Sequence, residues 1–405
     1  MKYSGQYISS NKTDGLLKWA YTVLLFFIMI SFFAPLIAND KPIRVKTSNK
    51  TIYPILSSKS YKSTCNKEDC KILRTPIPFS AQTIDVRAMH AAPGSLGGEE
   101  LQYTHLLGTD GLGRDVTAAL IYGSRTALWI SVLAALLAFF IGCVYGLLIG
   151  YYGHDRVLVT YRQWICSIVI LLLTGYGLLV ISHLNQATIL SDTNGAFLYM
   201  GMALLVSSFF YYSRNMLSKG KAIPVNLDGI GMRVVDLIKA LPALFIVLFA
   251  LQLVEQKRIY YLIILIAFLL WAGFARHARA EVWRMRSRAS VQAALLAGKN
   301  DLWIFRHEIL PFIVRPLFVS LAFSVAGAIL LEATLSFLGI GMPVDHVSWG
   351  TLINDARNHN SSWWLLVFPG LCMLSLIWAI QHIGRSIESR LQYGNQLLSI
   401  DEKRS

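Results

Sequence analysis

Charge is scarce in this chain. Asp, Glu, Lys and Arg make up 15% of its 405 residues, against about 25% in a soluble globular protein. Hydrophobic residues make up 55%. This balance excludes a disordered protein, a coiled coil and an ordinary cytosolic enzyme, and leaves a polytopic membrane protein. Acid is scarcer than base: 23 Asp and Glu stand against 37 Lys and Arg, a net charge of +14. No basic run is interleaved with aromatics as a nucleic-acid face would be. The excess base therefore reads as cytoplasmic loops that set membrane topology, with lipid and not nucleic acid as partner.

Chemistry-bearing patterns are also missing. Gly108-Thr-Asp-Gly-Leu-Gly113 is glycine-rich, yet no Gly-Lys-Ser/Thr follows, so it is no phosphate loop. There is no Gly-x-Ser-x-Gly elbow and no Cys/His cluster, and His277 and His307 read as surface groups. No catalytic residue, metal site or bound cofactor is expected. Of the five cysteines, Cys143, Cys166 and Cys372 lie in apolar runs and read as packing residues. Cys65 and Cys70 lie in a polar stretch, and their spacing permits a disulfide if that stretch is outside the cytoplasm.

What is present is a series of apolar runs. The first, Trp19 to Ala38, is longer than a signal-peptide core and reads as a retained span. Others follow at about 126–150, 163–183, 196–213, 237–254, 259–275, 316–338 and 364–383, giving eight spans. The basic stretches 151–162, 214–236 and 276–315 and the C-terminal tail then fall on one side. That side is the cytoplasm, with both termini in it. The chain divides into a tail and first span at 1–38, an external segment at 39–125, a membrane domain at 126–391 and a cytoplasmic tail at 392–405.

The most basic loop carries the strongest local pattern: Gln292-Ala293-Ala294, then Gly298, then Ile309-Leu310-Pro311. Ser290 is placed to cap a helix over 291–297, and Gly298 to end it in the left-handed conformation. Asn300 is placed to cap a second short helix, with Asp301 favourable at its start. Pro311 marks the entry to the next span. The outcome is a helix–glycine–helix elbow, with Ala293, Ala294 and Leu296 offering a small apolar face to a groove on another protein.

This pattern resembles the EAA loop of ABC-importer permeases, with Gln292 where Glu is usual. Three further stretches resemble the same family, in its dipeptide and oligopeptide C-type (and nickel) subgroup. They are Leu107-Gly-Thr-Asp110-Gly-Leu-Gly-Arg114-Asp115 with Ile121-Tyr-Gly-Ser-Arg125; Glu332-Ala-Thr-Leu-Ser-Phe-Leu-Gly339-Ile-Gly341 with Ser348-Trp349-Gly350; and Phe368-Pro369-Gly370. The resemblance implies an all-α permease core of six helices, here with an inserted hairpin at 154–227. It implies a permease subunit of a bacterial inner-membrane importer for peptides or similar small solutes, driven by ATP. It also implies partners: a second, B-type permease, two ATPase subunits that bind ATP-Mg, and an external solute-binding protein. The loop at 290–311 would couple to an ATPase.

Glu332 is the one acid inside an apolar run. It reads either as a group lining the path or pairing between helices, or as a residue at a span end. A rival class, an ion-coupled secondary transporter acting without an ATPase, would need such an acid and would leave the elbow without a purpose.

Overall fold

The structure, a computed structural model, describes residues 4–46, 51–54, 71–97, 103–153, 157–160, 222–225, 227–252, 259–340, 342–343, 346–359 and 361–402. It divides into two compact units, one of Met1–Leu147 with Val235–Ser405 and one of Leu148–Val234.

Helices dominate the first unit. Five helices are long and apolar enough to cross a membrane: Gly15–Ile37 within α1 (Ser4–Ile37), α2 (Val116–Tyr152), α5 (Ile259–Arg286), α7 (Asp301–Phe337), and Trp364–Arg390 within α9 (Trp364–Glu402). Eight spans were expected, and the described residues supply these five. The run at 237–254 is not one helix. It breaks into α3 (Leu227–Ala240) and the 10-residue α4 (Ala243–Gln252). Pro242 causes the break, because it lacks an N–H and disfavours helical backbone at Leu241. The runs at 163–183 and 196–213 lie outside the described residues, as do Cys65, Cys70 and Cys166.

Within the stretch read as external, 39–125, helix α2 already begins at Val116. Asp115 accounts for this early start. Its Oδ1 accepts from the Ala118 backbone N–H at 2.8 Å, satisfying one of the free donors of the first turn. Before that point the chain forms small antiparallel sheets. In one, β1 (Arg44–Lys46) lies between β2 (Thr51–Ile52) and β3 (Lys71–Leu73). In the other, β4 (Ser95–Gly97) pairs with β5 (Tyr103–His105). The described part is thus mostly helical with a minor strand content.

Helix α7 is central. One cluster of buried side chains joins it through Ala328 and Leu335 to Ile130 of α2, Val247 of α4 and Ile266 of α5. A second joins Ala326 and Ile329 to Phe27 of α1, Trp349 of α8 (Trp349–Asn358) and Leu376 of α9. Helices α2 and α5 meet more closely still. A Cβ at Gly142 would lie 2.3 Å from the Trp271 carbonyl oxygen, and one at Gly146 would lie 2.2 Å from that of Ala275. These two glycines are four residues apart on one face of α2, the spacing that lets membrane helices approach backbone to backbone.

The second unit holds an antiparallel ribbon of β6 (Val157–Thr160) and β7 (Ala222–Val225), in register from Val157↔Val225 to Thr160↔Ala222. The two ends of the expected insertion are therefore paired strands.

Replacing Gly146 with Leu should cost more than the ~1–3 kcal/mol usual for overpacking, since backbone and not a yielding side chain is in the way. Gly370→Ala, where a Cβ meets nothing within 4 Å, should be tolerated. Thermal unfolding in detergent checks both, and an unchanged midpoint for Gly146→Leu would refute the contact.

Candidate functional site: the elbow at 286–311

The elbow begins where α5 ends. After Arg286 the chain turns, with the Arg288 N–H donating to Met285 O at 3.0 Å. It then enters α6, Ala289–Leu296. The cap of α6 is Arg288, which makes no side-chain capping bond, and Ser290 lies inside the first turn. This corrects the expected Ser290 cap and shifts the helix two residues toward the N-terminus. Continuity with α5 explains the shift, because the tight turn at 286–288 already sets the entry. Gln292 supports the same turn by donating from Nε2 to the Arg286 carbonyl at 3.0 Å, one of the acceptors that a helix C-terminus leaves free.

Helix α6 ends at Gly298. Its φ is +68°, and a Cβ there would meet nothing within 4 Å. The constraint on this residue within the chain is therefore conformational and not steric. Gly298 N–H donates to Leu295 O at 3.0 Å and Lys299 N–H to Ala294 O at 3.2 Å. This is the paired closure that a left-handed glycine makes possible at a helix end.

The next helix starts at Asp301 with Asn300 as its cap, although the Asn300 side chain makes no capping bond. It is not a separate short helix. It runs through one widened, π-type turn at Phe305–Ile309 into the rest of α7. Pro311 gives the reason: in a regular turn its ring would press on the His307 carbonyl four residues back, and the wider turn relieves this.

One side of the elbow is fastened and the other is bare. Val291, Ile304 and Ile309 are buried. Ala293, Pro311 and Asp301 are exposed, and Ala294 and Leu310 are half-buried. Leu296 is 90% exposed and Leu302 71%, with Leu295 also exposed. A helix of eight residues anchored by one buried valine and showing two leucines, with Leu302 of the next helix beside them, presents a docking face. Beside it Lys299 Nζ lies over the Trp303 ring at 5.1 Å, and Trp303 stacks on His307 at 4.7 Å.

The opposite end of α7 holds Glu332, which is fully buried. Ser336 Oγ donates to its Oε1 at 2.8 Å, and the Ser348 hydroxyl lies beside the carboxyl group. Ser348 is the N-cap of α8 and shares a reciprocal pair of bonds with Thr351. Gly350 lies where a Cβ would be 2.3 Å from the Ala333 carbonyl oxygen, and Trp349 Nε1 donates to Leu120 O at 3.1 Å. Glu332 thus sits between helices, under the N-terminus of α8.

The 107–115 stretch is a structural latch at the same end. The Asp110 carboxylate accepts from Leu112 N, Arg114 N and Arg114 Nε at 3.0, 2.8 and 2.6 Å. Gly111 N–H reaches Asp355 of α8 at 2.5 Å, and Trp364 of α9 donates to Thr109 O at 3.1 Å. Gly113 has φ +78°, and a Cβ there would lie 2.0 Å from Asp85 O.

Gly298→Val should cost about 1–2 kcal/mol locally, because a side chain opposes the left-handed backbone. Gly298→Asn should cost less, since Asn tolerates that conformation, and Gln292→Ala should lose only one exposed hydrogen bond, about 0.5–1.5 kcal/mol. Faster amide exchange over 289–300 in the order Val, then Asn at Gly298, is the expected result. Equal rates for the two would refute the conformational account.

Comparison with known proteins accounts for this geometry. Residues 222–393 match the family described as binding-protein-dependent transport system inner membrane component. The match opens at Ala222, the first residue of β7, and contains both the elbow and Glu332. A putative peptide transport system permease protein of Brucella suis is 28% identical over 288 residues, covering 71% of this chain and 73% of its own. The dipeptide transport system permease protein of Bacillus subtilis is 25% identical over 289 residues, 71% of this chain and 68% of its own. The oligopeptide transport system permease protein of Haemophilus influenzae is 25% identical over 315 residues, 78% and 76%. A mostly helical chain with several membrane-length helices is thus similar, over its C-terminal 222–393, to the inner membrane components of binding-protein-dependent transport systems, and over about three quarters of its length to peptide permeases of that kind.

Proposed function

We propose that this chain forms half of the transmembrane path of an importer for peptides or a similar small solute. It works with a second, B-type permease subunit, two ATPase subunits and an external solute-binding protein. The permease itself is not catalytic, and ATP-Mg belongs to the ATPases. The membrane is the bacterial cytoplasmic membrane, with both termini inside, a reading supported by the basic stretches 151–162, 214–236 and 276–315. The peptide cargo is supported by the names of the relatives.

The observation that carries the reading is the elbow, which shows Leu295, Leu296 and Leu302 to its surroundings while Val291, Ile304 and Ile309 tie it to the bundle. In the proposed mechanism the ATPases close on ATP and displace α6. Because α7 is continuous from the elbow to Glu332, that displacement reaches the far end of the bundle and switches access from one side to the other.

Purification of the intact assembly in mild detergent should bring down an ATPase with this chain. Gly298→Val should insert normally but lose uptake, with the ATPase either released or hydrolysing ATP uncoupled from transport. Normal uptake by that variant with its ATPase attached would overturn the coupling role. Uptake by the chain without any ATPase would favour an ion-coupled transporter instead.

A further inference from the structure

A cavity of about 550 Å³ opens at the end of the bundle that holds the 107–115 latch. Its volume is within the range of small-molecule sites, ~300–1,000 Å³. The wall from α2 is the single helical face Tyr122, Arg125, Thr126, Trp129 and Ile130, and Ile259 of α5 and His346 before α8 stand across from it. Among the described residues no Asp or Glu lines the cavity, and Asp40, which lies beside Tyr122, is not part of its wall.

Arg125 is exposed in this cavity and makes no hydrogen bond or ion pair among the described residues. Arg114, also at this end of the bundle, is by contrast held by Asp110 at 2.6 Å. Tyr122, which faces the same space, is fixed by donating from its hydroxyl to Ala38 O at 3.0 Å. A guanidinium on a rigid helix is a planar fork that matches a carboxylate through two parallel bonds. Phosphate would call for several converging cationic donors. Here Arg125 is the one Lys or Arg among the described lining residues, beside the polar Ser80, Gln82, Thr126 and His346 and the apolar Trp129, Ile130, Ala81 and Val347, which suits an organic acid with an apolar body.

We propose that this cavity is a carboxylate-binding vestibule, in which Arg125 receives the carboxylate of the solute on its way to the path and Trp129 covers the solute's apolar part. That the ligand is cargo rests on the importer reading; that the cavity recognises a carboxylate does not.

The two claims separate in one experiment on the complete complex in nanodiscs. Arginines are modified with phenylglyoxal and the rate at each is read by mass spectrometry, with exposed Arg44 of β1 as the control. N-acetyl-alanyl-alanine should slow modification of Arg125 about tenfold, the scale of a hydrogen bond to a charged group, and leave Arg44 unchanged. Its C-terminal amide and inorganic phosphate should not protect. Protection by none of the three, or equally by acid and amide, overturns the vestibule, and equal protection by phosphate overturns its carboxylate preference. ATP-driven uptake of trialanine is measured in parallel, where Arg125→Gln should reduce uptake and Arg125→Lys restore part of it. Uptake without protection refutes the vestibule and spares the importer; protection without ATP-driven uptake refutes the cargo and spares the site.

Discussion

Membrane helices gain no hydrophobic free energy from one another, because lipid tails are as apolar as leucine. They cohere where backbones come close enough for dispersion to act, and where buried polar groups find partners. Several junctions of the first unit are of these kinds, beside the apolar clusters that join α7 to its neighbours. Gly142 and Gly146 bring α2 onto α5, and Gly350 brings α8 onto α7. Ser336 donates to one oxygen of Glu332 where that carboxyl group is cut off from water. Trp349 and Trp364 each spend an indole N–H on a backbone carbonyl of a distant segment. Two of the stretches that resemble the permease family, 107–115 and 332–350, contain such junctions, which is why they read in sequence as motifs without any catalytic chemistry.

Helix α7 ties the two ends of the molecule together. From Asp301 to Glu332 it extends roughly 45 Å at ~1.5 Å per residue. A rod of this length fixed at the elbow by Ile304 and Ile309, and at the far end by Glu332, passes on a displacement with little loss. The regular hydrogen-bond ladder is altered in the π-type turn at Phe305–Ile309 and again at Pro316, which has no N–H to donate, so any bending concentrates in this stretch near the elbow.

The membrane helices were legible because a span needs only length and apolarity, and α1, α2, α5, α7 and α9 have both. The left-handed turn at Gly298 was legible because a glycine between a helix end and an Asn-Asp start has few other conformations to serve. What escaped was settled by distance in sequence. Ser290 looked like a cap until the turn from α5 placed Arg288 there. The second elbow helix looked short because Pro311 reads as a stop, whereas the chain widens one turn and continues. The α2–α5 contact joins residues about 130 positions apart, and the cavity around Arg125 draws on the 80–82 stretch, α2, α5 and the 346–347 stretch. No local pattern announces either. Glu332 was visible as an acid in an apolar run, but its place under α8 depended on Ser348, sixteen residues later and in another element.

The ribbon of β6 and β7 has a consequence for the segment that it encloses. Antiparallel pairing holds facing Cα atoms about 4.5–5.5 Å apart, so Val157 and Val225 are neighbours whatever chain runs between Thr160 and Ala222. The ribbon is a zipped neck. The entry and exit points keep their spacing whatever the length of the segment beyond it, so a change of length there would leave the flanking helices where they are.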